Sequence, residues 1–177
     1  MTDTQGHRRI DRIRDPAYLD GLADRSLEEL RELREECLAE REYLSLLRRL
    51  VQGRAEILKA ELDTRGSDED RAPLVDRLAV ILAGDEARGA SRGEALKVGV
   101  PEEELLLARR RIERLVADAG ISDPQALDDD QLAEAVDILA REETTVSGAR
   151  RDVIGVLDGV QDELKRRYKE DPSRVLQ

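Results

Sequence analysis

The chain contains almost none of the residues on which a compact globular core usually depends. Among its 177 residues there is no Phe or Trp, and there are only three Tyr, one Met, one Cys and one His. Aromatic side chains supply much of the buried area of globular cores, so a thick core is not expected. Leu, Ala, Val, Glu and Arg dominate instead, and 40% of the residues are charged. This composition is typical of long helices and coiled coils.

The single cysteine and the net charge exclude several kinds of function. Cys37 has no partner for an internal disulfide, and no group of Cys and His has the spacing of a zinc site. The net charge of −11 argues against a general nucleic-acid binder and favours a partner with a basic surface. Because the sequence has no nucleophile–base pair, phosphate loop or metal motif, we predict that the chain is not an enzyme.

Targeting and membrane-spanning segments are also missing from the sequence. The first residues, MTDTQGHRRIDRIRDP, include no apolar stretch that could serve as a signal peptide. No other run approaches the ~20 apolar residues of a membrane span. We therefore expect a cytoplasmic protein, with residues 1–14 as a flexible N-terminal arm and 171–177 as a tail.

Helix signals describe residues 15–170 as one all-α domain with two long helices. Ser26 and Glu29 form a capping box before the first long helix, and Asp128 and Gln131 form a similar pair before the second. The predicted elements, in chain order, are a long helix at about 26–64, a short helix at about 73–83, a loop at 84–100, a helix at about 101–119 and a long helix at about 128–169. No strand pattern of any length occurs.

The two long helices resemble each other when the sequence is shifted by 102 residues. Ser45, Arg48 and Gly53 then meet identical residues at 147, 150 and 155, which indicates an internal duplication. Apolar residues recur in both helices at the spacings of three, four and seven that are typical of a coiled-coil seam. The seam residues are Leu44, Leu47, Val51, Leu58 and Leu62, and Val146, Ala149, Val153, Val160 and Leu164. We predict that the two helices form an antiparallel coiled coil along these seams.

A row of mostly polar residues, here called the polar row, runs beside the seam of each helix. At 100° per residue the members of each row lie within an arc of about 80°. They are Arg41, Ser45, Arg48, Gln52 and Glu56 on the first helix and Glu143, Ser147, Arg150, Ile154 and Asp158 on the second. One interpretation is a solvated helix surface with intrahelical ion pairs. The matched register of the two rows favours a binding site instead.

Parts of the sequence resemble the RsiG-type anti-sigma factors of actinobacteria. These are the runs SLEELRELREEC (26–37) and LSLLRRLVQGRAEIL (44–58), together with the closing RRYK (166–169). The resemblance implies an antiparallel coiled coil that sequesters a flagellar-class, WhiG-like RNA polymerase sigma factor. It also implies control by the regulatory ligand cyclic di-GMP, which the family binds through the motif E-x3-S-x2-R-x3-Q-x3-D on each helix.

The resemblance assigns cyclic di-GMP binding to the polar row. The residues that match the family's motif are Ser45, Arg48 and Gln52 on the first helix and Glu143, Ser147, Arg150 and Asp158 on the second. Glu56 replaces Asp, while Arg41 and Ile154 stand where Glu and Gln are expected. Because of the last two departures, a second hypothesis stays open: a ligand-independent coiled-coil anti-sigma factor or adaptor with a degenerate dinucleotide site.

Overall fold

The computed structural model describes residues 9–66, 101–118, 120 and 123–170, and within these ranges it contains helices and no strand. The α-helices are α1 (Arg9–Ile13), α2 (Leu27–Gly66), α3 (Glu102–Asp118) and α4 (Asp129–Glu170), and the 3-10 helices are Pro16–Leu19, Leu22–Asp24 and Pro124–Ala126. The predicted all-α fold with two long helices is confirmed. The predicted short helix, the loop after it and the tail lie outside the described residues. None of the described helices is apolar enough over a sufficient length to cross a membrane.

Each long helix begins at the capping residues that the sequence indicates. At the start of α2, Ser26 Oγ accepts a hydrogen bond from the Glu29 amide at 3.2 Å, and the Glu29 carboxylate accepts one from the Ser26 amide at 2.6 Å. At the start of α4, the Asp128 and Gln131 side chains accept from each other's amides at 2.8 and 2.9 Å. These bonds satisfy amide groups that the first turn of a helix leaves without helical partners.

The chain divides into two compact units, and both long helices contribute to each. Unit 1 comprises the described residues of 1–46 and 145–177, and unit 2 comprises those of 47–144. In unit 1, Leu30 near the start of α2 packs against Leu164 near the end of α4. In unit 2, Leu58 near the end of α2 clusters with Leu132 near the start of α4. The two helices are therefore antiparallel within each unit, as predicted.

The predicted seam forms the buried surface of the helix pair. Of its ten residues nine are buried, and Leu62 is partly buried against the unit 2 core. Cys37 is also completely buried in α2, as expected for a small apolar residue, and burial raises the pKa of its thiol. Leu and Val at these spacings remove a continuous stripe of apolar surface from water, which is the main favourable contribution to packing two long helices.

Within the predicted N-terminal arm, the structure describes residues 9–14, and Arg9–Ile13 form the helix α1. Residues of α1 pack onto unit 1, and the Ile13 side chain is completely buried there. Arg9 Nε donates to the Glu40 carboxylate at 2.7 Å, and Arg14 Nε donates to Asp152 at 2.9 Å. The charge of this segment did not indicate these contacts, which are one buried isoleucine and ion pairs to both long helices.

Helix α3 makes a contact in unit 2 that corresponds to one made by α1 in unit 1. Arg111 Nη2 donates to the Glu142 carboxylate at 2.7 Å. Arg9 and Glu40, the equivalent pair in unit 1, precede these two residues by the same shift of 102 positions. Leu115 packs against the unit 2 core, and its equivalent in α1, Ile13, is buried in unit 1. Each unit therefore contains a third helix that an arginine–glutamate pair ties to a long helix.

An arginine near the end of each long helix binds the turn that precedes the other long helix. The acceptors are the carbonyl oxygens of Pro124, Gln125 and Leu127 for Arg65, and of Leu22, Ala23 and Arg25 for Arg167. Glu61 and Glu163, one turn earlier, accept from the Nε atoms of the same two arginines at 3.1 and 2.7 Å. All of these residues are related by the shift of 102 positions, so the contacts inside the two units repeat with the sequence.

Candidate ligand-binding row

Side chains of the two polar rows meet between α2 and α4 within each unit. In unit 1, Arg150 Nε donates to Ser45 Oγ at 2.9 Å. In unit 2, Gln52 Nε2 donates to Glu143 Oε1 at 3.2 Å, and Arg48 Nε lies 3.8 Å from the same oxygen. In each unit the polar rows of the two helices therefore lie on a common side of the seam, as a site assembled from both helices requires.

Ser45 fixes the arginine that faces it. Its hydroxyl donates to the main-chain oxygen of Arg41 at 2.7 Å and accepts from Arg150. A serine hydroxyl has one donor hydrogen, and bonding to the carbonyl one turn earlier in a helix is a common use of it. Because that hydrogen is used, the hydroxyl presents an acceptor to Arg150 and holds its guanidinium group along the polar row.

Glu143 organises the polar row in unit 2. Its carboxylate accepts from Gln52 and approaches Arg48, and the Arg48 and Glu143 side chains are 41% and 28% exposed. An ion pair with this exposure contributes little to stability. Its effect is to orient Arg48 beside an amide and a carboxylate, so that a donor fork and two acceptor oxygens lie close together.

The ten members of the polar row differ in exposure. The half-buried members are Arg41, Ser45, Arg48, Gln52, Glu143, Ser147, Arg150 and Ile154. Glu56 and Asp158 are exposed, and within the described ranges their carboxylates form no hydrogen bond or ion pair. Arg41 Nη2 donates to Glu42, its neighbour in sequence, at 2.8 Å. The row thus combines guanidinium groups fixed by neighbours with carboxylates that are open to a ligand.

Helices α1 and α3 form ion pairs with residues of α2 and α4 that lie outside the polar row. Arg12 of α1 pairs with Glu36, and the partners of Arg9 and Arg111 are Glu40 and Glu142. None of these carboxylates belongs to the polar row. Sequence reasoning did not identify them, because a charged residue on a long helix is usually solvated and carries no signal that a helix elsewhere in the chain will bind it.

The RsiG-like family model matches residues 16–82 and 118–177. The chain belongs to the RsiG-like family. Members of this family are regulatory anti-sigma factors, so this RsiG-like chain has an anti-sigma factor role and a sigma factor as its partner. The chain matches no curated protein.

The two matched segments of this RsiG-like chain begin at equivalent points, because residues 16 and 118 are related by the same shift as the polar rows. Together they contain every residue of both rows. Helix α1 and all but the last residue of α3 lie outside them. The match therefore covers the long helices and the polar row, and the third helices are additional to it.

Proposed function

We propose that this RsiG-like chain sequesters a flagellar-class, WhiG-like sigma factor and that cyclic di-GMP bound along the polar row controls this sequestration. The observation that supports the proposal most directly is the pairing of row residues within each unit. Ser45 with Arg150, and Gln52 with Glu143, are residues of the motif that the family uses for this ligand, and they are in contact.

The chemistry of the polar row suits cyclic di-GMP, which carries two phosphates and two guanines. The guanidinium forks of Arg48 and Arg150 can bind a phosphate or the O6 and N7 atoms of guanine through two hydrogen bonds. The exposed carboxylates of Glu56 and Asp158 can accept from guanine N–H groups. The ligand is two-fold symmetric, and the residues that the two rows share, Ser45 with Ser147 and Arg48 with Arg150, offer each half of it the same groups.

Charge and linkage explain how such a ligand would act on a sigma factor. The chain has a net charge of −11, which suits the basic surfaces by which a sigma factor meets DNA. Occlusion of those surfaces by the long helices would keep the sigma factor inactive. If cyclic di-GMP and the sigma factor favour the same conformation of the chain, each raises the affinity of the other by the same factor.

Co-purification and calorimetry with a WhiG-like sigma factor, with and without cyclic di-GMP, test this proposal. Replacing Arg48 and Arg150 by Ala should remove the dependence on cyclic di-GMP, because each loses charge-assisted hydrogen bonds worth about 1.5–3 kcal/mol, or about tenfold or more in affinity. Arg141→Ala, an exposed position on α4 outside the row, should leave it unchanged. Dependence that survives both row substitutions would contradict the proposed site.

The second candidate function is a ligand-independent anti-sigma factor or adaptor. Arg41 and Ile154 favour it, because they replace an acidic and an amide residue of the family's motif. Sigma factor binding that is equally tight with and without cyclic di-GMP, together with no heat of binding for the dinucleotide alone, would establish this alternative over the first.

A further inference from the structure

Helix α3 exposes two leucines on the side that faces away from the unit 2 core. Leu106 and Leu107 are 44% and 54% exposed, which are the highest values for a large apolar residue in the described ranges. The opposite side of α3 packs against the unit 2 core through Ile112, Leu115 and Val116. At the shift of 102 positions the two leucines correspond to Thr4 and Gln5, so they are not part of the repeat. The contacts that the two units share therefore give these leucines no role.

The exposed side of α3 also has an acidic end and a basic end. At 100° per residue its exposed side chains lie within an arc of about 100° and are here called the α3 face. They are, in chain order, Glu103, Leu106, Leu107, Arg110, Arg114 and Ala117. Within the described ranges the side chains of Glu103 and Arg110 form no hydrogen bond or ion pair. Two leucines therefore lie between a carboxylate and a guanidinium group that are open to a partner.

This arrangement is complementary to itself when two copies of α3 pack antiparallel. If Leu106 of one copy lies opposite Leu107 of the other, Glu103 lies opposite Arg110 of the other copy, because the offset along the helices is the same for both pairs. A two-fold axis repeats these contacts, so each copy contributes both leucines and both charged groups. Parallel packing would instead place like charges together at both ends. A partner with charge of a single sign would meet a like charge at one end, which lowers the affinity.

We infer that the α3 face is an interface between two copies of this chain, packed antiparallel about a two-fold axis. Contact removes the exposed leucines from water, which favours association, and the ion pairs fix the direction and offset of the helices. Helix α3 has 17 residues, so the interface is smaller than that of a stable dimer. We expect a dissociation constant on the order of 10–100 μM, which rises with salt concentration as the ion pairs are screened. The inference does not depend on the proposed function, because α3 contains no residue of the polar row.

Sedimentation equilibrium of the full chain over a range of concentrations measures this association. Leu107→Glu should weaken it about tenfold or more, because an apolar contact is lost and a like charge is added near the partner's Glu103. Arg110→Glu should have a similar effect, since it places two carboxylates opposite each other at both ends of the interface. Arg109→Glu is the matched control: the change in charge is the same, but this exposed residue lies 100° around the helix from Arg110 and should leave the association nearly unchanged.

Mixing two variants tests the antiparallel pairing itself. Glu103→Arg and Arg110→Glu should each prevent dimers of their own kind, because each places like charges opposite each other. In a dimer of one with the other, both contacts join opposite charges, so the mixture should associate about as strongly as the unmodified chain. Circular dichroism of each variant alone confirms that it is folded.

Two results would overturn the inference. One is an unmodified chain that stays monomeric at concentrations up to about 1 mM, well above the expected dissociation constant. The other is a mixture of Glu103→Arg and Arg110→Glu that associates no better than either variant alone. A monomeric chain whose affinity for its sigma factor falls on Leu107→Glu would also overturn it, and would assign the α3 face to the sigma factor.

Discussion

Replacing Ile13 by Ala tests whether α1 is part of a rigid core or a segment that can detach. Ile13 is completely buried in unit 1, and α1 has only five residues. In a rigid core the loss of a buried isoleucine costs about 2–5 kcal/mol, because the removed methyl groups leave a cavity. A short terminal helix can avoid that cost by leaving its site.

The contacts of α1 limit how much free energy of unfolding the Ile13→Ala variant can lose. Burial of Ile13 stabilises docking by about 1.5–3 kcal/mol, and the bond from Arg9 to the buried Glu40 adds about as much. The exposed pair of Arg14 and Asp152 adds less than about 1 kcal/mol. The conformational entropy lost on ordering α1 offsets much of this gain, so the net docking free energy is smaller than the sum of the contacts. We expect Ile13→Ala to lower the free energy of unfolding by only about 1–2 kcal/mol.

Urea denaturation and amide hydrogen exchange measure the two parts of this prediction. In the Ile13→Ala variant the amides of residues 9–14 should lose their protection while those of α2 and α4 keep theirs. Leu139→Ala is the matched control, since Leu139 is completely buried in unit 2 and should cost the full amount of about 2–5 kcal/mol. If both variants lose the same free energy of unfolding and the α1 amides stay protected from exchange, α1 does not detach and the prediction is wrong.

Three further predictions concern the long helices. Asp128→Ala should destabilise the start of α4 by about 1 kcal/mol in urea denaturation, because the amide of Gln131 loses its acceptor, and Asp128→Asn should restore most of this. Hydrogen bonds, first of all from Arg166, lower the pKa of Glu163 from 4.5 to about 2. Its stabilising contribution is complete above pH 4.5 and is lost as the pH falls through about 2, so Glu163→Gln should flatten the fall in stability over that interval. Arg65→Ala should expose the amides of residues 123–128 to exchange, and protection that is unchanged would show that the arginine does not hold this turn.

The fold could be predicted because its determinants are local in the sequence. The capping residues at Ser26 and Asp128 locate the starts of both long helices, and the spacing of leucine and valine locates their buried side. The docking of α1 could not be predicted from its charge, since its partners lie more than twenty residues away in the sequence. A signal did exist: RRIDRI at 8–13 matches RRIERL at 110–115 at the same shift of 102 positions.

The sequence predicts on which side of each helix the polar row lies, but it does not predict which of its residues are in contact. A helical wheel gives the angle of each side chain and carries no information on how far one helix is displaced along the other. The contacts of Ser45 with Arg150 and of Gln52 with Glu143 supply that displacement. Without it, Arg41 and Ile154 count as two unrelated departures on two helices.

The register changes how these two departures bear on function. Here the two substitutions that change chemical character, Arg41 and Ile154, fall on residues that face each other in unit 1. The pairs of Ser45 with Arg150 and of Gln52 with Glu143 are retained. If cyclic di-GMP binds to the polar row as proposed, we expect these two departures to alter one of its contacts and to leave the contacts of the other pairs in place, and calorimetry with the dinucleotide tests this.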